Sequence, residues 1–311
     1  MVSGETLKAH QAYYKGDARG WQQQARLLQS LWRERRRLQP ESDALHAGSM
    51  LADLPRYQLA GSAFISADAV RAAKKAAKVA KVEGAVMQPA RLWRNLLSSQ
   101  PLCMNLFGVL SENHNDPRVS LALSRVWPDI RTVTGIRYEW SPGRRDPRFL
   151  GNGTAFDVYI EYTATDGSPR FLGIELKYHE DLGVAAPSCA GRPHEVFETS
   201  GVFAVDSFPV MSTGKNAQIL LDHLLALSIN AATEFAREGA FVLLYPKLNT
   251  AVSDVIDGYR THLVDQSTFM TTTLEDVVAA LAEEFDEPWV KELGNRYLDV
   301  SAIERLESRG V

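Results

Sequence analysis

Hydrophobic and polar residues alternate most cleanly between residues 154 and 180. In TAFDVYIEYTA, 154–164, Phe156, Val158, Ile160 and Tyr162 fall on one side of a strand, with Asp157, Tyr159 and Glu161 on the other. In FLGIELKYHE, 171–180, Leu172, Ile174, Leu176 and Tyr178 make an apolar face, and Phe171, Gly173, Glu175, Lys177 and His179 the opposite one. The TDGSP between them is a hairpin-type connection, so the two strands are expected to pair antiparallel. IRTVTGIRYEW, 130–140, is rich in β-branched and aromatic residues and predicts a further strand. GAFVLLYPKLN, 239–249, carries the apolar run of a buried strand.

Helical spacing dominates elsewhere. Residues 5–39 read as one helix, with Trp21, Ala25, Leu28 and Trp32 near helical spacing and Pro40 as the stop. A connector over 40–65 leads to a helix with Ser66 as N-cap, Asp68 in its first turn and Gly84 past its end. On it Arg71, Lys74, Lys78 and Lys81 form a single basic stripe. QPLCMNLFGVLSE, 100–112, and PRVSLALSRVWPD read as two more helices, and SPGRRDPRFLGNG as a turn-rich loop. Residues 181–213 read as a long loop. Ser212 or Thr213 then caps a helix over 214–237, with Ile219, Leu220, His223, Leu224 and Leu227 at core spacing. In TLEDVVAALAEEF the core face is Leu274, Val277, Val278, Leu281 and Phe285, and 288–308 is a last helix. Helices, three strands, a long helix, a buried strand and more helices make an α/β fold, a mixed sheet flanked by helices.

Composition narrows the class. The 311 residues are 45% hydrophobic and 23% charged, as in ordinary globular proteins. Cys103 and Cys189 lie far apart with no CxxC, which argues against a zinc site or disulfide framework and for a reducing cytosol. With no apolar leader and no apolar run of ~18 residues, neither a signal peptide nor a membrane span is expected. The net charge of −4 is unevenly distributed. Residues 1–100 hold 16 Lys and Arg against 8 Asp and Glu, and the rest 18 against 30. A basic third facing a polyanion and an acidic remainder holding functional carboxylates is one reading; uneven solvated surface is the other. The basic stripe has the same two readings, a track along a phosphate backbone or a solvated helix face.

The chemistry concentrates in the hairpin. The turn centres near residue 166, midway between Asp157 and Glu175, so the two carboxylates are expected to be cross-strand neighbours. Opposed Cβ atoms lie about 4.5–5.5 Å apart. Two carboxylates so close repel unless a cation intervenes or one keeps a proton. A hard divalent ion, Mg²⁺ or Mn²⁺, suits oxygen ligands. Lys177, two residues along, can position or activate a water and stabilise charge on an attacked phosphate. The plainer alternative is a cross-strand salt bridge, worth ~0–1 kcal/mol if exposed.

An Asp on one strand followed by Glu-x-Lys on the next is the signature of the PD-(D/E)XK nuclease superfamily. The chain resembles it at AFD, 155–157, and IELK, 174–177, with Phe156 where a Pro often stands. SQPLCMNLF, GTAFDVYIEY, GIELKYHE, AQILLDHLLA and RYLDV look like a bacterial family of restriction-endonuclease-like proteins, over roughly 95–300. The resemblance implies a restriction-endonuclease-like αβββαβ core, residues 96–311, with an added helical, basic N-terminal region, 1–95. It implies an Mg²⁺- or Mn²⁺-dependent nuclease in the cytoplasm, with DNA the preferred substrate and RNA the alternative, in bacterial defence or DNA repair. Cleavage would leave 5′-phosphate and 3′-hydroxyl ends. Asp157, Glu175 and the Leu176 carbonyl would hold metal, and Lys177 would serve the water. Gln218 would orient that water or touch a phosphate, unless it is an exposed first-turn residue. Arg71, Lys74, Lys78 and Lys81 would meet the nucleic-acid backbone. Glu139 would extend the metal shell or pair with a nearby arginine. Gln100 and Asn105 match the resemblance without a derived role. His179 and Glu180 lie near the site or on the surface, Lys215 near a helix N-terminus that could take phosphate, and His223 reads as a satisfied core histidine. A homodimer is left open. The rival reading is a catalytically inactive nucleic-acid-binding or protein-interaction module on the same fold.

Overall fold

The computed structural model describes residues 2–18, 20–42, 48–85, 87–180, 182, 187–232 and 237–308. Parts of the expected connector (43–47), long loop (181, 183–186) and helix end (233–236) lie outside them. The expected N-terminal helix is two, α1 (Gly4–Ala9) and α2 (Trp21–Arg35), separated by a loop that turns at Gly20, φ +92°. Then come α3 (Pro55–Ala60), α4 (Ala67–Glu83), α5 (Pro89–Trp93), α6 (Ser99–Glu112) and α7 (Pro117–Val126). Ser66 caps α4 through Ala69 N–H, and Gly84 ends it in the left-handed region, as its sequence predicts.

Strands β1 (Ile130–Trp140), β2 (Phe156–Ala164) and β3 (Pro169–Leu176) follow. The expected long loop contains α8 (Arg192–Ser200) and the single turn α9 (Phe208–Met211). Next are α10 (Asn216–Asn230), β4 (Glu238–Tyr245), α11 (Thr250–Arg260), β5 (Phe269–Thr273) and α12 (Leu274–Glu284). The final expected helix is again two, α13 (Pro288–Tyr297) and α14 (Ser301–Ser308). Neither Ser212 nor Thr213 caps α10; Lys215 precedes it, and Thr213 Oγ1 bonds back to Pro209 O. β5 escapes the sequence pattern because it is five residues long, threonine-rich and runs straight into α12.

The sheet order is β1-β2-β3-β4-β5, antiparallel through β3 and parallel from β3 to β5. The β2–β3 register runs Val158 to Ile174, Ile160 to Leu172 and Tyr162 to Arg170, symmetric about residue 166 as the hairpin predicts. One face packs Val158, Ile160, Leu172, Ile174 and Leu176 against α6, α7, α12 and α13. The other packs Tyr159, Phe171, Phe241 and Leu243 against α8, α10 and α11. Phe156 belongs to this second core, not with Val158 as strict alternation predicts. Its ring fills the space over Gly173, where a Cβ would come within 2.5 Å of it. The alternation therefore breaks at Asp157, just past the last ladder pair.

The N-terminal helices pack onto this body. Trp21 and Ala25 of α2 join the first core. The alanines of α4 face α6, where Ala69 approaches Gly108 so closely that a Cβ there would lie 2.7 Å from Ala69 Cα. Further contacts between the two segments join Ile65 N–H to Asn105 Oδ1, Asn113 Nδ2 to Asp68 and Lys75 Nζ to Glu112. No described helix is long and apolar enough to cross a membrane.

Candidate active site

The site forms where the β2–β3 ladder ends. The last β2–β3 pair is Val158–Ile174, and Asp157 and Glu175 are the next residues on the two strands. Instead of a ladder bond, Leu176 N–H donates to Asp157 Oδ2 at 2.9 Å. Glu175 and Lys177 are both 7% exposed. Lys177 Nζ lies 2.8 Å from Glu175 Oε1 and 2.9 Å from Gln218 Oε1. Gln218, in the first turn of α10, closes the triangle by donating Nε2 to Glu175 Oε1 at 2.6 Å. The exposed first-turn alternative for Gln218 is thereby set aside. Lys177 and Glu175 do form a salt bridge, and it is buried, so the ~0–1 kcal/mol of an exposed pair does not apply to it. Among the described residues, no arginine makes an ion pair with Asp157 or Glu175.

The charge balance is unusual. Burial works against the Lys177 ammonium, but the Glu175 carboxylate outweighs it and raises the lysine's pKa. Burial raises the Asp157 pKa well above the ordinary range, and the like charges of Glu175 and Glu139 add to it; Lys177 and the Leu176 N–H offset part. Glu139, near the end of β1, has φ +47°, a strained value for a residue with a Cβ. Gln100 Nε2 donates to its Oε1 at 3.1 Å. Burial pushes the Glu139 carboxyl up to about 7, against that hydrogen bond and with the help of Glu175. Arg144 donates to the Glu139 carbonyl, so the expected arginine salt bridge is replaced by a main-chain contact.

Sequence reasoning missed Asp222. It lies one turn beyond Gln218 on α10, is 3% exposed, and its Oδ2 has no hydrogen-bond partner. Burial, then Glu175, raises its pKa well above normal. The available signal was an acidic residue at i+4 from Gln218 within the otherwise apolar AQILLDHLLA.

Other candidates have structural partners. His223 sits between Tyr259 OH, 3.1 Å, and Thr268 Oγ1, 2.9 Å, and burial holds its pKa down to about 3, so it is a neutral core histidine. Asn105 ties Ile65 N–H, Ala63 O and Tyr297 OH together. Glu180 accepts from Ser99 N–H at the start of α6, and His179 Nε2 lies 3.0 Å from Asp17 Oδ1. Lys215 is exposed just before α10.

The basic stripe is exposed along α4, but it is not uniform. Arg71 pairs with Asp68 and lies 3.6 Å from Glu112. Lys74 Nζ reaches Leu59 O at 3.4 Å. Lys78 and Lys81 make no ion pair among the described residues.

A cation would suit this donor set. Glu175 and Asp222 are buried and Asp157 and Glu139 half-buried; the Lys177 ammonium favours ionisation of Asp157 and Asp222, and Arg144 and Arg91 that of Glu139. Carboxyl oxygens whose ionisation burial opposes suit a hard divalent ion, whose charge would favour the ionised form. No three described Asp, Glu, His or Cys side chains converge as a ready-made metal cluster. Ligation would therefore draw on two carboxylates and main chain, and would loosen the grip of Lys177 and Gln218 on Glu175.

A family model of the PD-(D/E)XK nuclease superfamily matches residues 15–299. The chain belongs to that superfamily, and its mixed sheet flanked by helices is the restriction-endonuclease-like fold with a helical N-terminal part. The match begins well before residue 95 and takes in α2 and α4. No curated protein and no solved structure matches the chain.

Proposed function

We propose that the protein is a divalent-metal-dependent nuclease that hydrolyses phosphodiester bonds of DNA. The observation that carries this reading is the convergence of Asp157, Glu175 and Lys177 at the ladder's end, with no arginine among the described residues paired to either acid. Asp157, Glu175 and the Leu176 carbonyl would hold Mg²⁺ or Mn²⁺. Such an ion supplies Lewis-acid stabilisation and a more acidic bound water. Lys177, kept protonated by Glu175, acts as a cation: it positions the attacking water and stabilises charge on the phosphate, and does not serve as a base. Gln218 holds both partners in register through its amide. Lys74, Lys78 and Lys81 are the backbone-binding groups in this reading, and Arg71 contributes less because its charge is already paired. Region 1–95 then serves as an annex to the nuclease region 96–311, and the setting is bacterial defence or DNA repair.

The test is cleavage of plasmid, linear and single-stranded DNA and of RNA, with Mg²⁺, Mn²⁺ or EDTA. Wild type should cleave DNA only with metal, and Asp157→Ala, Glu175→Ala and Lys177→Ala should not. Equal cleavage by wild type and Glu175→Ala would remove the catalytic assignment. Binding without cleavage would favour the inactive module, and cleavage of RNA alone would replace the substrate.

A further inference from the structure

After Lys177, whose N–H still bonds to Leu244 O at 2.9 Å, the chain leaves the sheet. Side chains take over from there. Tyr178 O accepts from Trp21 Nε1 at 2.7 Å and from Asn249 Nδ2 at 3.2 Å. His179 O accepts from Gln22 Nε2 at 3.2 Å. The Tyr178 ring stands edge-on to Trp21, centroids 5.5 Å apart, and its hydroxyl accepts from Gln29 Nε2 at 3.1 Å. His179 contacts Asp17, which Arg26 holds at 2.8 Å through Nη2. Trp21, Gln22, Arg26 and Gln29 all belong to α2.

A lysine carries its charge on a flexible four-carbon stem. Glu175 and Gln218 fix the head of that stem, but its root is set by the main chain on either side. On the upstream side the ladder holds it. On the downstream side α2, from the other end of the chain, shares the holding with Asn249 and Tyr297.

We propose that α2 is a built-in positioning element for Lys177, with Trp21 as its principal donor. The inference rests on the reading of Lys177 as a catalytic group. It gives the N-terminal helix a part in the reaction without contact with substrate. Loss of the Trp21 N–H leaves Tyr178 O with Asn249 alone and lets residues 177–179 shift. A displacement of about 1 Å at a reacting group can cost about 10²-fold in rate.

The test is Trp21→Phe, which keeps an aromatic ring against Tyr178 and removes only the donor. Expected are a 10- to 100-fold fall in kcat with KM for DNA unchanged, and faster amide exchange confined to residues 176–180. Unchanged kcat with unchanged exchange overturns the proposal. So does exchange that rises equally in β2 and α10, because Trp21 then acts only through overall stability. If wild type cleaves no nucleic acid, the nuclease reading fails, and exchange at 176–180 still decides whether α2 holds Lys177. Should Trp21→Phe not fold, Gln22→Leu combined with Asp17→Asn removes the neighbouring contacts and carries the same two readouts.

Discussion

Strand β2 carries two acids four residues apart, Asp157 and Glu161, and the two ends of the strand treat them in opposite ways. Glu161 lies between two arginines: Arg137 is 2.9 Å away, and Arg237 contacts its other oxygen. Both arginines are partly solvent-exposed, so the pairs brace the sheet margin at ~0–1 kcal/mol each. At the other end, Asp157 receives one main-chain N–H, and Glu175 shares one ammonium with an amide. Guanidinium is always charged and forks around a carboxylate, filling its coordination sites. A lysine and a glutamine leave the neighbouring carboxyls with raised pKa values and no paired guanidinium among the described residues. The two ends use similar residue types, but one is neutralised and the other remains poised for a cation.

The comparison breaks most directly if the two acids are interchangeable. Glu175→Ala should lower DNA cleavage by about 10²–10³-fold or more, on the scale of losing one preorganised electrostatic group. Glu161→Gln should leave cleavage within about twofold and lower stability by ~1 kcal/mol. Equal losses in a cleavage assay would erase the distinction.

Converting one end into the other sharpens it. Lys177→Arg should bring a fork to Glu175, lower cleavage by about 10²-fold, and preserve the melting temperature. A fully active Lys177→Arg would show that the kind of cation is immaterial.

The raised Glu139 pKa also predicts a pH dependence. In the folded chain Glu139 ionises near 7, above its ordinary 4.5, so the folded state binds that proton more tightly than the unfolded chain does. Its contribution to stability is complete below about pH 4.5 and is lost as pH rises through 7. Stability should fall between pH 5 and 8 by on the order of 2 kcal/mol. Glu139→Gln should flatten that decline, and millimolar Mg²⁺ should oppose it. Denaturant titrations at the two pH values check the slope, and a rise with pH would contradict it.

The smallest effect belongs to α4. Replacing Lys78 and Lys81 by Gln should reduce the slope of log affinity for duplex DNA against log salt by about 2. Arg71→Gln should change it less, since Asp68 and Glu112 already occupy that charge.

Much of the site could be read before the fold was known, because a hairpin is local. TDGSP sets the turn, the turn sets the register, and the register ends with Asp157 and Glu175 next in line on the two strands. The strained turn of Glu139, the buried Asp222 and the hold of Trp21 on Tyr178 could not be read that way. Each depends on elements far apart in the chain: β1 against α6, α10 against β3, and α2 against the segment that follows β3, 157 residues later. The single helix expected over 5–39 failed for a related reason. Helical spacing continues through local propensity, whereas the break before Trp21 serves the packing of α2 onto the sheet. Phe156 left its expected face because only a tertiary neighbour, Gly173, offered room for the ring.

Alternation, turn chemistry and residue type thus determined by themselves that an acid, a second acid and a lysine would share the end of one strand pair. These are properties of neighbouring residues, set by a period of two and a short loop. Tertiary structure decided which acids would be neutralised. Charge compensation depends on what packs within a few ångströms, and here that was two arginines at Glu161 but a glutamine, a lysine and unpaired carboxyls around Glu175.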